Sequence, residues 1–220
     1  HKNKFPHELS GGEQQRIALI RALAPSPDII LMDEPFSNID QDIKEELVSD
    51  VRDLLKELSI TSIIVTHDQN EAFNIADQVA IMNKGVIQQI GTPYDIYHKP
   101  ANKFVAGFIG LGTFLPVRKV NDNSFEIPLG LLNNERIKND LTKFENLEML
   151  IRPDDIIHND SSPKKAVILE KQFRGAEFLY KLLYNNEYSI LCYAPSHHNH
   201  AIGDSIGIEL DIKHYVIFER

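Results

Sequence analysis

The first half of the chain alternates patterns typical of helices and strands. Residues 13–24 consist of strong helix formers closed by two prolines, and apolar side chains from Ile43 to Leu58 recur every three or four positions, as in an amphipathic helix. The apolar run 28–33 predicts a strand buried on both faces, and the β-branched run 61–66 predicts a second strand. This order predicts an α/β fold in which crossover helices join parallel strands.

Further along, the patterns predict shorter elements. Asp68 and Glu71 have the spacing of a capping box that opens a helix. Residues 78–82 and 86–90 flank Asn83-Lys84-Gly85 and predict a hairpin. Two short helices follow, one beginning at Pro93 and one over residues 101–109, before a glycine-rich break at 110–112.

After this break, short β-rich runs separated by turn residues replace the alternating pattern. The runs cover residues 114–120, 124–128, 148–152, 165–172, 177–184, 188–193, 205–210 and 215–219. They predict a small antiparallel barrel or sandwich. We therefore place a domain boundary near residue 112 and expect domains at residues 1–112 and 113–220.

Composition narrows the classes of protein to which the chain can belong. It has 23 basic and 32 acidic residues, a net charge of −9, so a basic nucleic-acid platform is not expected. An apolar fraction of 42% suffices for a packed core, but no uninterrupted apolar run approaches the roughly 18 residues of a membrane span. A single cysteine, Cys192, excludes an internal disulfide.

The first candidate site lies where a loop enters the first helix. Ser10 is a favourable N-cap, Glu13 completes a capping box, and Gly11 and Gly12 leave backbone N–H groups unshielded. Such a helix start can bind an anion, although Ser-Gly-Gly alone is more often an ordinary cap. The whole stretch Leu9-Ser-Gly-Gly-Glu-Gln-Gln-Arg16, however, resembles the signature motif of the ATP-binding-cassette (ABC) ATPases.

A second motif follows in Ile29-Ile-Leu-Met-Asp33-Glu34-Pro35, which resembles the Walker B strand of the same family. In isolation, an Asp-Glu pair that ends a strand is common at protein surfaces. The resemblance implies that Asp33 holds Mg²⁺ through water and that Glu34 is the catalytic base that polarises the attacking water.

Two further segments extend the resemblance. Ser37-Asn38-Ile39-Asp40 is similar to the D-loop that couples the two sites of a dimer, although Asp40 is also a natural N-cap for the next helix. His67 follows the second strand in a segment that resembles the family's switch region. Alone, it would more often be a structural histidine; the resemblance implies that it contacts the γ-phosphate and holds the catalytic water.

The resemblance also shows what the sequence lacks. Its 220 residues contain no G-x-x-x-x-G-K-[ST] phosphate loop, and the chain begins with His1. We therefore expect a fragment: residues 1–112 as the C-terminal part of a P-loop ABC ATPase domain, and residues 113–220 as an all-β, OB-like TOBE barrel. The intact protein would use ATP and Mg²⁺ and act as a homodimer, whereas the chain alone is expected to be inactive.

Residues 85–110 resemble the end of the cassette in importer ATPases, and Ile151-Arg-Pro-Asp-Asp-Ile156 resembles the start of the TOBE domain. These likenesses imply an integral-membrane permease as partner, an indirectly coupled substrate-binding protein, and a cytoplasmic location on the inner face of the membrane. The C-terminal half looks closest to ferric-iron importers. Spermidine/putrescine, thiamine, sulfate and sugar importers are the alternatives, and a regulatory or dimerisation module without ATPase activity is another.

Three histidines, His197, His198 and His200, lie close in sequence to Cys192. They suggest a metal sensor, but their spacing matches no standard ligand pattern. We expect them to be solvated in an exposed hairpin loop.

Overall fold

The structure is a computed structural model that describes residues 5–37, 39–121, 124–133 and 146–220. Its helices are α1 Gly11–Leu23, α2 Gln41–Glu57, α3 Gln69–Ile75, α4 Pro93–His98 and α5 Lys103–Ile109. Its strands are β1 Ile29–Asp33, β2 Thr61–Val65, β3 Val79–Asn83, β4 Val86–Gly91, β5 Thr113–Asn121, β6 Ser124–Ile127, β7 Gly130–Asn133, β8 Leu147–Ile151, β9 Ile156–His158, β10 Lys165–Phe173, β11 Glu177–Tyr184, β12 Tyr188–Pro195, β13 Ser205–Leu210 and β14 Ile217–Glu219.

The chain divides into two compact units. The first extends to Ala80 and also contains Ile90–Pro93, and the second contains Ile81–Gln89 and continues from Tyr94 to Arg220. The domain boundary near residue 112 stays a prediction.

In the first unit, β1 and β2 pair in parallel, in register from Ile29 opposite Thr61 to Asp33 opposite Val65. The crossover passes through α2, whose predicted apolar stripe is buried at its centre. The core consists of Leu23, Ile30, Phe36, Leu47, Val48, Val51, Leu55 and Ile75. The predicted helix-strand alternation is therefore confirmed here.

The prediction that the first strand is buried on both faces is wrong. Ile30 is 6% exposed, whereas Ile29 and Leu31 are 59% and 73% exposed. Successive side chains of a strand point to opposite faces. Because the described helices pack on the face of Ile30 and Met32, the opposite face of β1 remains accessible.

The predicted capping box at the start of α3 is only half correct. The Asp68 side chain accepts hydrogen bonds from the backbone N–H groups of Asn70 and Glu71, so it caps the helix. The Glu71 side chain does not complete the box: it is 4% exposed and forms an ion pair with Lys44. The Asp68 N–H donates instead to Thr66 Oγ1 at 3.0 Å.

The predicted hairpin is present as β3 and β4, which form a two-stranded sheet. Its turn has φ of 48° at Lys84 and 76° at Gly85. Positive φ at both central residues is typical of the type I′ turn that matches the twist of paired strands, and glycine adopts it without steric cost.

The rest of the second unit is rich in β-structure. One sheet closes into a barrel in the order β10-β11-β12-β9-β13, and a five-stranded sheet has the order β14-β8-β5-β6-β7. The barrel is antiparallel apart from the parallel contact of β12 with β9. A closed five-stranded barrel agrees with the predicted OB-like fold.

The alternating pattern of the barrel strands explains its core. Along β11, every second side chain is buried, from Phe178 to Tyr184, and β12 buries Ile190, Cys192 and Ala194 in the same way. The sequence did not predict β7 and β9, because three or four residues are too few to show an alternation.

The longest helix in the described part of the chain is α2, with 17 residues. None of the helices in this part has the length and apolar character needed to span a bilayer.

Candidate active site

Two predicted catalytic side chains meet where β1 and β2 end. Glu34 directly follows β1, and His67 lies two residues beyond β2. Because parallel pairing places Asp33 opposite Val65, both side chains lie at the same edge of the sheet. His67 Nδ1 is 3.0 Å from Glu34 Oε1, and the two side chains are 75% and 47% exposed. The structure thus joins a carboxylate and an imidazole at a solvent-accessible edge.

The backbone of Glu34 is held in an uncommon conformation. Its φ is 45°, in the left-handed region that residues other than glycine rarely adopt. The Glu34 N–H donates to the Val65 carbonyl at 2.8 Å, and Ser37 Oγ donates to the Glu34 carbonyl at 3.0 Å. These bonds fix the turn that directs the Glu34 side chain towards His67.

A charged network supports the segment that carries His67. Lys44 Nζ of α2 lies 2.8 Å from Asp68 Oδ2 and 2.5 Å from Glu71 Oε1. Thr66 Oγ1 donates to Glu71 Oε2 at 2.5 Å. Both neighbours of His67, Thr66 and Asp68, are therefore anchored to α2 and α3.

The network also shifts two ionisation equilibria. Its hydrogen bonds to Asp68 and Glu71 raise the pKa of Lys44. The hydrogen bond from Lys44 lowers the pKa of Asp68, assisted by the backbone N–H donors of the helix cap. Lys44 and Asp68 therefore both remain charged at neutral pH.

The sequence did not identify Lys44 as part of the site, and it did not show that the Glu71 side chain is buried and paired with Lys44. Lys44 is one of several charges along α2 and belongs to no motif. The spacing of Asp68 and Glu71 is the available signal, but it equally fits a capping box.

A cavity of about 430 Å³ opens beside this edge. Gln15 and Arg16 of α1 line it together with Asp33, Glu34 and apolar side chains of β1 and α2. The helix that begins with the predicted signature thus borders the same space as the two carboxylates.

The predicted helix start is present in detail. Ser10 Oγ accepts from the Glu13 N–H at 3.3 Å, and the Ser10 N–H donates to Glu13 Oε2 at 2.8 Å, which completes the capping box. Gly11 is exposed, and a Cβ at Gly12 would lie 3.6 Å from Ile43 Cδ1, an ordinary contact. Packing at Gly12 therefore does not demand glycine.

The remaining predicted positions are exposed. Asp33 ends β1 with an exposed side chain. Asp40 occupies the N-cap position of α2, but its side chain makes no capping hydrogen bond to any described residue, so the N-cap interpretation holds for position only. Asn38 of the predicted D-loop lies outside the described residues.

The three loop histidines differ in how far they are exposed to solvent. His197 is exposed as expected, but His198 and His200 are half-buried, so the expectation that all three are solvated is wrong. One ligand atom each of His198 and His200 lies within 4.8 Å of a ligand atom of His158 and of Asp160, two residues that the sequence did not single out. Cys192 is buried, and burial raises the pKa of its thiol to about 12.

Two family models match the chain. The ABC transporter model matches residues 1–37, which include the predicted signature and the Asp33-Glu34 pair, and the TOBE domain model matches residues 149–218.

Curated relatives agree with both matches. A spermidine/putrescine import ATP-binding protein, PotA, of Malacoplasma penetrans is 39% identical over 79% of this chain and 30% of its own length. A sulfate/thiosulfate import ATP-binding protein, CysA 2, of Chromobacterium violaceum is 44% identical over 71% of this chain and 42% of its own length. An Fe(3+) ions import ATP-binding protein, FbpC, of Fusobacterium nucleatum is 39% identical over 76% of this chain and 45% of its own length.

The chain spans less than half the length of these three relatives. Among solved structures, a dimeric ATP-binding cassette, MJ0796, bound to ADP and Pi, is 35% identical over 41% of this chain and 39% of its own, with a TM-score of 0.37.

The chain therefore combines an ABC transporter segment, which contains the Asp33-Glu34 pair, with a TOBE domain further along the sequence. In these two matches and in its relatives, the chain is similar to import ATP-binding proteins of ABC transporters that carry a TOBE domain.

Proposed function

We propose that the chain supplies the water-activating edge of an ATPase that drives solute import. The observation that carries this proposal is the 3.0 Å contact between His67 Nδ1 and Glu34 Oε1 at the shared end of β1 and β2. A carboxylate that faces solvent can accept a proton from water, and an adjacent imidazole can orient that water.

The roles follow from the position of each group. Glu34 accepts the proton of the attacking water, and His67 holds the carboxylate and the water in line. Asp33, exposed and adjacent, offers carboxylate oxygens, which are the ligands that Mg²⁺ prefers. Bound Mg²⁺ would supply charge neutralisation on the phosphates of ATP. The capping box of Ser10 and Glu13 opens α1, and Gly11 and Gly12 in its first turn would present backbone N–H groups to a phosphate. Asp40 would act across a dimer interface.

We test the role of Glu34 by Glu34→Gln in the native gene product, reconstituted with its permease. Glutamine keeps the shape of the side chain but cannot take a proton, so ATP turnover should fall by about 10²–10⁴-fold. ATP affinity should stay within about threefold, because the change removes a base and no phosphate contact. Glu45→Gln, an exposed change on α2, is the matched control. Turnover within threefold of the parent protein in Glu34→Gln would refute the role.

We further propose that residues 1–220 alone neither bind ATP tightly nor hydrolyse it, because they contain no phosphate loop. Isothermal titration with Mg²⁺ and ATP measures the affinity of residues 1–220, and release of inorganic phosphate measures their turnover. Micromolar affinity with turnover in the segment would contradict the proposal.

The assembly we propose is a homodimer of ATPase subunits bound to the cytoplasmic face of an integral-membrane permease. A substrate-binding protein delivers the solute to this permease from the other side of the membrane. The names of the relatives support this arrangement, since all are import ATP-binding proteins. A second candidate is a regulatory or dimerisation module, supported by the complete barrel. Sedimentation without ATP distinguishes them: a stable dimer of residues 1–220 favours the module.

For the cargo we propose ferric iron, in line with the relative from Fusobacterium nucleatum. Spermidine or putrescine is the second candidate, because the relative from Malacoplasma penetrans is equally identical over a slightly longer stretch. Uptake of radiolabelled iron and of radiolabelled putrescine by cells with and without the gene decides between them. Loss of putrescine uptake alone would exclude iron.

A further inference from the structure

Four side chains that can bind metals converge on one side of the barrel. His158 ends β9, Asp160 follows it, and His198 and His200 lie between β12 and β13. The ring centres of His198 and His200 are 4.5 and 4.9 Å from that of His158. One ligand atom from each of the four residues lies within 4.8 Å of the others.

The segment that carries Asp160 is fixed to the barrel. The Asn159 N–H donates to the Gly207 carbonyl at 2.9 Å, and Ser162 Oγ donates to the Ile208 carbonyl at 2.6 Å. A Cβ at Gly207 would lie 2.0 Å from the Asn159 carbonyl oxygen, so only glycine allows this approach. The position of Asp160 is therefore set by backbone contacts to β13.

The loop that carries the two histidines is equally well anchored. Tyr180 Oη donates to the His198 carbonyl at 2.5 Å and accepts from the His200 N–H at 3.2 Å. Lys171 Nζ donates to the His200 carbonyl at 2.8 Å. The imidazoles thus project from a preorganised backbone, which lowers the entropic cost of binding a ligand.

One atom of this cluster lacks a partner within the described residues. Nε2 of His200 is buried there and makes no hydrogen bond, although a buried polar atom normally has one. His158, whose side chain is 2% exposed, contacts Asp160 Oδ1 through Nε2 at 2.9 Å. A buried imidazole nitrogen without a partner, in a ring beside a histidine-carboxylate pair, is an arrangement that a bound cation would satisfy.

We propose that His158, Asp160, His198 and His200 bind one divalent transition-metal ion of the zinc type. Three imidazoles and one carboxylate match the tetrahedral nitrogen and oxygen coordination that Zn²⁺ accepts. Bonds of about 2.0 Å place tetrahedral ligand atoms about 3.3 Å apart, so small side-chain rotations would close the present cluster around the ion. The ion would join the segment after β9 to the loop between β12 and β13.

The test is zinc binding to the untagged 220-residue chain after removal of metals with a chelator. Titration with ZnCl₂ should show one Zn²⁺ per chain. His198→Ala and His200→Ala should each weaken binding at least tenfold, because each removes a ligand. His197→Ala is the matched control, since His197 is exposed and outside the four-residue cluster; its affinity should change by less than twofold.

A spectroscopic measurement covers the case in which a variant folds poorly. Co²⁺ in place of Zn²⁺ should give the intense visible absorption of a tetrahedral site in the parent chain and in His197→Ala, and a shifted spectrum in Asp160→Asn, where water or the amide replaces the carboxylate ligand. Asp160 is 62% exposed, so its substitution leaves the barrel core intact. Absence of stoichiometric zinc binding by the parent chain, or an equal loss of affinity in His197→Ala and His200→Ala, would overturn the proposal.

Discussion

At the scale of single residues, the candidate active site depends on a charge that no motif contains. Lys44 is 14% exposed and neutralises Glu71, which is 4% exposed, beneath the segment that holds His67. Glu34 itself is held by backbone hydrogen bonds in a left-handed conformation. The exposed side chains of Glu34 and His67 are thus positioned by backbone hydrogen bonds and by the less exposed pair of Lys44 and Glu71.

Lys44→Met should destabilise the first unit by about 3 kcal/mol, because it leaves the Glu71 carboxylate buried without its partner. Urea unfolding followed by circular dichroism measures the loss. Lys56→Met is the matched control: Lys56 pairs with Asp77, but the two side chains are 56% and 68% exposed. Exposed pairs contribute about 0–1 kcal/mol, so equal effects of the two changes would show that Lys44 has no special role.

At the scale of elements, the turn between β8 and β9 forms hydrogen bonds to α4, α5 and the segment that follows α5. Arg152 is 5% exposed and donates to the carbonyls of Ala106, Leu111 and Tyr97 at 3.1, 3.0 and 3.3 Å. Asp155 Oδ2 accepts from the Arg152 N–H at 2.7 Å and closes the turn. One arginine thus connects the strand that opens the TOBE match with the ends of α4 and α5.

Asp155 should make stability depend on pH in an unusual direction. Burial raises the pKa of its carboxyl from 3.8 to about 6. Between these two values the folded state binds the proton more tightly than the unfolded state, so this group's contribution to stability falls as pH rises from about 4 to 6.

Asp155→Asn cannot ionise but can still accept the Arg152 N–H. Its free energy of unfolding, relative to the parent chain, should therefore increase between pH 4 and pH 6 and stay constant above pH 7. Chemical unfolding at several pH values measures this difference. A difference that is flat or decreasing over the interval would contradict the assignment.

At the scale of the whole molecule, α5 and the part of α4 from Tyr94 onward belong to the same compact unit as the barrel, as does the stretch Ile81–Gln89. The second unit begins its continuous stretch at Tyr94. All three carbonyl acceptors of Arg152 lie before residue 113. A barrel cut at the predicted boundary would lose these three acceptors and also the Tyr97 ring, which lies 4.4 Å from the guanidinium, so Arg152 would face solvent.

We therefore expect residues 94–220 to be more stable than residues 113–220 by at least about 3 kcal/mol, since hydrogen bonds to charged groups contribute about 1.5–3 kcal/mol each. Thermal and urea unfolding of both segments compare them. Arg152→Leu should destabilise the longer segment, which loses three hydrogen bonds, and should change the shorter one by less than about 1 kcal/mol, because there the side chain has lost its acceptors and its cover. Equal stability of the two segments would support the boundary at residue 112.

The sequence alone determined the local elements and the identity of the family. Helix formers, helix caps and the alternation of apolar and polar residues in strands such as Glu177–Tyr184 depend on residues close together in sequence. They can therefore be recognised from the sequence alone. The contiguous motifs around Ser10, Glu34 and His67 were sufficient for the resemblance that the family models confirm.

Only the tertiary structure decided which side chains meet. Lys44 and Glu71, or His158 and His200, are 27 and 42 positions apart in the sequence, and their contacts depend on how helices pack and how a barrel closes. The same holds for burial: Leu31 looks like a core residue in sequence but is 73% exposed, because a strand's pattern does not say which of its faces is covered. Sequence specifies local conformation through short-range sterics and hydrogen bonds, whereas a site's charges and partners are set by long-range packing.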